Sequence, residues 1–203
     1  MDTAKWIDLV VSLSFGTVFI SLLRLYIQRK DLLISYFGLA AISITVPYFV
    51  DLFEFNLPFD LFEWGKLISI TFYISGLLVL IRDSKPVFAR FPAYLTALPF
   101  VSFLFFPLII DSIVIKDLIN AIYQGGALVV TLLVFALNQA KERKRRYYII
   151  GISCIGIAYL THWIIFNQYN LSEINWISEI FLSVGILFTT FRFVIGEQEK
   201  ATD

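Results

Sequence analysis

The chain is poor in the side chains that most often carry chemistry: 203 residues hold one cysteine, one histidine and one methionine. A lone Cys154 forms no intramolecular disulfide, and Cys154 with His162 cannot supply a Cys- or His-rich zinc site. No metal and no cofactor is expected. Charge is scarce too, at 16%, with 16 basic residues balancing 16 acidic ones. That balance gives no electrostatic footprint for a nucleic-acid partner. A phosphate-cradling Gly-Lys-Ser/Thr loop is also missing. Met1-Asp2-Thr3-Ala4-Lys5 lacks a basic leader and the first apolar run is too long for a signal peptide, so none is expected.

What the chain has is apolar sequence. Hydrophobic residues make up 59% and mean hydropathy is +0.80, against about 45–50% apolar residues in soluble domains. Runs of 18 or more apolar residues match a hydrocarbon core of about 30 Å. Seven such runs, at 6–27, 32–50, 64–81, 93–110, 118–138, 147–166 and 176–195, predict an all-α polytopic bundle of transmembrane helices. Backbone facing lipid must satisfy its own N–H and C=O groups, and these runs are too long and uniform for strands. The whole chain, 1–203, reads as one membrane domain.

Basic residues then orient the bundle. Arg24, Arg29, Lys30, Arg82, Lys85, Arg90, Lys141, Arg143, Lys144, Arg145, Arg146, Arg192 and Lys200 fall on one side, against Lys5, Lys66 and Lys116 on the other. Basic loops stay cytoplasmic, which predicts an outer N-terminus and a cytoplasmic C-terminus. Trp6, Trp64, Trp163 and Trp176 then mark the outer headgroup level, and Tyr147 and Tyr148 the inner one. Pro47, Pro99 and Pro107 should kink or loosen their helices. Gly125-Gly126 offers a small face for close contact, and Ser14, Thr17 and Ser21 share a helix face expected to bond across to a neighbour.

Two repeats stand out. A shift of 114 positions lays Arg29-Lys30 on Arg143-Lys144 and Phe55-Asn56-Leu57 on Tyr169-Asn170-Leu171, which would pair spans one to three with five to seven; the competing reading is the charge bias that any seven-helix protein repeats every four spans. Locally, Asp51-Leu52-Phe53-Glu54 and Asp60-Leu61-Phe62-Glu63 bracket Asn56-Leu57-Pro58 and suggest an amphiphilic loop on the outer membrane surface.

Ionisable groups within a membrane cost about 2.5–3.5 kcal/mol each at mid-depth, so each is a candidate for function. They gather toward one end: Asp51, Glu63, Lys66, Asn120, Gln124, His162 and Glu179. These predict a ligand pocket near the outer face, with Glu179, His162 and Gln124 deepest. The competing reading is interfacial solvation at helix ends. Several activities fail on the residues present. Span seven holds no lysine for a retinal Schiff base. The zinc-dependent seven-helix lipid amidases need several histidines. A Ser153–His162 pair of rhomboid kind lies on one helix, about 13 Å apart along its axis. The Pro-Gln pair of PQ-loop carriers is missing.

Phe62-Glu63-Trp64-Gly65-Lys66-Leu67 opens span three after an acidic, aromatic outer loop. With seven spans and an outer N-terminus, the chain resembles the seven-helix sensory region of some bacterial histidine kinases. The resemblance implies a bacterial cytoplasmic (inner) membrane location and a signal input that binds a small or lipid-like molecule. Only eight residues follow Ile195, so the chain is expected to act through a separate signalling or assembly partner besides membrane lipids. The basic stretch Lys141 to Arg146 could dock such a protein or anionic headgroups. The expected function is a non-enzymatic membrane sensor or accessory subunit. Two alternatives stay open: a small-solute transporter of three-plus-one-plus-three helices, and a lipid-modifying enzyme using Asp51, Glu63 and Glu179.

Overall fold

The computed structural model describes residues 3–53, 61–84, 86–105, 150, 151, 153–158, 160, 161, 176–185, 187 and 188, with single positions at 122 and 126. Every regular element among them is helical, and none is a strand. Helix α1 runs Thr3–Arg29, α2 Leu32–Leu52, α3 Leu61–Ser84 and the short α4 Pro86–Ala89. A 3₁₀ helix follows at Ala93–Phe105. Apolar helix Trp176–Gly185 and a helical stretch at 153–158 come from the C-terminal part. By length and composition, α1 and α2 could each cross a membrane.

The α1–α2 connection is tight because two residues do all the turning. Lys30 adopts φ 52° and sends its N–H to the Tyr26 carbonyl at 2.7 Å, closing the last turn of α1. Asp31 then caps α2, its carboxylate accepting from the Leu33 N–H at 2.9 Å. Basic Arg29 in the last turn of α1 suits the negative end of that helix.

The antiparallel hairpin packs along Val11, Phe15, Val18 and Leu22 of α1 against Ile34, Ala41, Ile44 and Tyr48 of α2. A second cluster joins Ala40 of α2, Tyr73 and Leu77 of α3, and Ile155. Leu182 packs against both clusters, so the Trp176–Gly185 helix sits between the hairpin and the 153–158 helix. Helix α3 packs on α2 and on the 3₁₀ helix, and Gly126 lies beside Ile74.

Two contacts fix α3 on α2. Ser69 donates to the Ala40 carbonyl at 2.8 Å, a buried bond between helices. Further along, Pro47 has no N–H for the Ser43 carbonyl, yet α2 continues through it. Gly65 of α3 comes against that freed group: a Cβ on Gly65 would stand 2.6 Å from the Ser43 oxygen and would also meet the Pro47 ring.

Two sequence expectations need revision. Span four, expected to be an α-helix from 93, is 3₁₀ over Ala93–Phe105. At about 2.0 Å per residue its 13 residues reach about 26 Å, where α winding would give about 20 Å. Pro99 opposes α winding there, because its ring clashes with the carbonyl four residues back. The segment is held by Phe100, whose ring lies 5.0 Å from Phe72 and 5.9 Å from Tyr36. Thr17 and Ser21 do not bond across helices; they donate to the Leu13 and Thr17 carbonyls of their own helix, at 2.7 and 2.9 Å. Short hydroxyls reach the carbonyl four residues back more readily than a neighbouring backbone. The expected repeat positions 55–57, 143, 144 and 169–171, the basic stretch 141–146 and Pro107 lie outside the described residues.

Candidate functional site

The polar residues that the structure brings together come from three helices. Tyr48 lies one turn before the C-terminus of α2 and is 3% exposed. Its hydroxyl donates to the Glu179 carboxylate on the Trp176–Gly185 helix. Asp8, about one turn into α1, acts electrostatically on the same phenol. Pro47 and Gly65, which lock α2 to α3, lie at the same end of the bundle. Trp6, Trp64 and Trp176 sit two residues before Asp8, one before Gly65 and three before Glu179. Trp6 and Trp176 are exposed and Trp64 half-buried.

Burial explains why the phenol keeps a partner. A hydroxyl removed from water without a bond costs about 1–3 kcal/mol. A carboxylate acceptor roughly doubles the strength of a neutral bond. Tyr48 has one proton to donate, and Glu179 accepts it, while Asp8 of another helix acts on the phenol through its charge. The last helix is further tied by Ser183, whose hydroxyl donates to the Glu179 carbonyl at 2.8 Å.

Of the seven residues singled out in the sequence, Asp51 and Glu179 have described side chains, and of these two Glu179 is brought into this cluster, half-buried against Tyr48. Asp51 lies three residues beyond Tyr48 with an exposed side chain. Glu63 and Lys66 fall in the first turns of α3, and their side chains lie outside the described residues. Asn120, Gln124 and His162 lie outside them altogether. No group of three or more His, Cys, Asp or Glu residues able to hold a metal occurs among the described residues.

Sequence reasoning missed Tyr48 and Asp8. Asp8 carried the same signal as Glu179, an ionisable group about one turn inside an apolar run. Tyr48 had none, being one of ten tyrosines in an aromatic-rich chain.

A different polar set lies midway along α3. Ser69, Thr71 and Ser75 are all buried, Thr71 and Ser75 completely. Thr71 donates to the Leu67 carbonyl at 2.8 Å, whereas the Ser75 hydroxyl has no hydrogen-bond partner among the described residues.

No protein-family model, no curated protein and no solved structure matches the chain. The functional reading therefore rests on its own residues.

Proposed function

We propose that the chain is a non-enzymatic membrane sensor or accessory subunit, built as seven transmembrane helices with the N-terminus outside and the C-terminus cytoplasmic. It binds a small or lipid-like ligand near the outer face and acts through a separate partner protein. The observation that carries this reading is the Tyr48–Glu179 hydrogen bond, with the charge of Asp8 acting on the same phenol. It gathers polar groups from both ends of the chain at the level where three tryptophans lie. The membrane setting is supported by large apolar side chains left exposed on α1 and α2, such as Leu13, Ile20, Leu39, Val46 and Phe49. Inner-membrane location in a bacterium follows from the resemblance to sensory regions of histidine kinases.

Native mass spectrometry of the protein, extracted gently from its own membrane, tests the reading. A co-purified small molecule or lipid should be lost on Glu179→Gln and weakened by His162→Ala and Gln124→Ala. Retention in all three variants removes the pocket. A stoichiometric partner without any ligand makes the chain an assembly subunit.

A second reading, a small-solute carrier, draws on Ser69, Thr71 and Ser75, because carriers place their sites near the bilayer midplane. Solute uptake into proteoliposomes, abolished by Ser75→Val, would favour it over the sensor.

A further inference from the structure

We propose that the turn between α3 and the 3₁₀ helix is a binding site for an anionic phospholipid, with Arg82 and Arg90 on its headgroup and the 3₁₀ helix along its acyl chain. The site rests on the proposed membrane reading and lies at the opposite end of the bundle from Tyr48 and Glu179. Trp64 is near the start of α3 and Arg82 is in its last turn. At about 1.5 Å per residue, Arg82 stands about 27 Å along the axis from Trp64, close to the thickness of a hydrocarbon core. That places its guanidinium at the level of the second layer of headgroups.

Arg82 is oriented before any ligand arrives. Its Nε–H donates to the Phe91 carbonyl at 3.0 Å, which closes the chain from Asp83 to Arg90 into a turn. Its Nη1 meets the Asp83 carboxylate only at 3.4 Å, and that carboxylate is exposed, so the pair is screened and weak. A guanidinium carries five N–H donors in a rigid fork that suits phosphate oxygens. With Nε fixed on backbone, the other donors of Arg82 find no further partner among the described residues. The same bond returns Arg90, the residue before Phe91, to the end of α3, and Arg90 is exposed. From 82 to 90 the sequence holds Arg82, Lys85 and Arg90 against the single acid Asp83. This excess favours a headgroup of net negative charge over a zwitterionic one, whose own cation would meet the guanidinium groups.

Apolar side chains complete the site. Val87 is 66% exposed and Tyr94 74%, with Phe91 exposed between them. Basic and aromatic side chains mixed in this way suit a headgroup layer. Beyond them, Leu98, Val101 and Leu104 are exposed. Residues three apart eclipse in a 3₁₀ helix, so these three form one straight row about 12 Å long. An α-helix would turn the same row through about 120°. The other two rows carry Thr96, which is buried, and Phe100, which packs on Phe72. The 3₁₀ winding thus leaves a straight apolar edge running from the basic turn into the bilayer.

Native mass spectrometry of the full chain in detergent, titrated with dioleoyl phosphatidylglycerol or dioleoyl phosphatidylcholine, tests the site. The first phosphatidylglycerol should be retained in preference to phosphatidylcholine. Arg82→Gln and Arg90→Gln should each weaken its binding about fivefold, the usual worth of one basic residue at an anionic surface. Arg24→Gln, at an exposed position of α1, should leave it unchanged. Glu179→Gln should also leave it unchanged, which separates this site from the proposed outer pocket. Equal retention of the two lipids overturns the site. An equal loss in Arg24→Gln overturns it too, because the attraction would then belong to the whole surface. If Arg82→Gln fails to fold for want of its Phe91 bond, exposed Arg90 decides alone: the loss in Arg90→Gln upholds the site and its absence ends it. A chain that binds neither lipid and stays dispersed without detergent removes the membrane reading and the site together.

Discussion

Helices α1 and α3 are both long and rich in apolar residues, yet they meet their surroundings differently. Helix α1 buries Val11, Phe15, Val18 and Leu22 and exposes Val10, Leu13, Ile20 and Leu23. Helix α3 is covered on nearly every side from Leu67 to Val79, and there it carries Ser69, Thr71, Tyr73 and Ser75. Apolar residues face outward on the peripheral helix, while the central one has its hydroxyls at Ser69, Thr71 and Ser75 buried. The contrast fits a bundle whose outer solvent is hydrocarbon, where close packing and hydrogen bonds hold the helices together.

The same substitution in the two helices should separate them most. Gly65→Ala in α3 sets a methyl group against the Ser43 carbonyl and the Pro47 ring, neither of which can move without bending α2. Overpacking of this kind costs about 1–3 kcal/mol, and backbone contact puts Gly65 near the upper end. Gly16→Ala in α1 meets Thr45 Cγ2 at 3.6 Å, an ordinary contact. There the gain in helix propensity, about 1 kcal/mol, should stabilise. Unfolding midpoints in mixed micelles should therefore move in opposite directions. A matching fall in both would mean that α1 is as tightly enclosed as α3.

That contrast was only partly open to sequence reasoning. Three helix ranges came close: 6–27 against Thr3–Arg29, 32–50 against Leu32–Leu52, and 64–81 against Leu61–Ser84. Length and hydropathy suffice for that. Which face is buried was hidden, because Val10 and Val11 differ in exposure but not in chemistry. An amphipathic stripe marks a core only when the other face is polar. The hydroxyls misled for a related reason. Thr17 and Ser21 shared a face and turned back on their own helix, while Ser69, not singled out, reaches Ala40. Glu179 was legible as a charge inside an apolar run. Its pairing with Tyr48 depends on how the two ends of the chain meet, which no local pattern records.

A smaller effect probes the connection that places α1 beside α2 and so keeps it peripheral. Asp31→Ala removes the acceptor from the Leu33 N–H and should cost about 1 kcal/mol. Lys30→Gly should act in the other direction, by up to about 1 kcal/mol, since φ 52° strains any residue with a Cβ. The double variant should sit near the parent if the cap and the turn contribute separately, read again as the unfolding midpoint. A loss equal to Asp31→Ala alone would show that the left-handed turn costs nothing here.

The smallest difference concerns the hydroxyls themselves. Ser69→Ala deletes a bond between helices, and such bonds average about 0.6 kcal/mol in membrane bundles. Here the loss should run toward 1 kcal/mol, because the Ala40 carbonyl stays buried when its second donor is gone. Ser21→Ala deletes only a bond to its own helix, and alanine is the better helix former, so the midpoint should hold or rise slightly. Hydrogen exchange at the α2 amides around Ala40 gives an independent reading. Ser69→Ala should speed it and Ser21→Ala should not. Equal exchange in the two variants would mean that α3 is held on α2 by Gly65 and apolar packing alone, with its central hydroxyls free for another role.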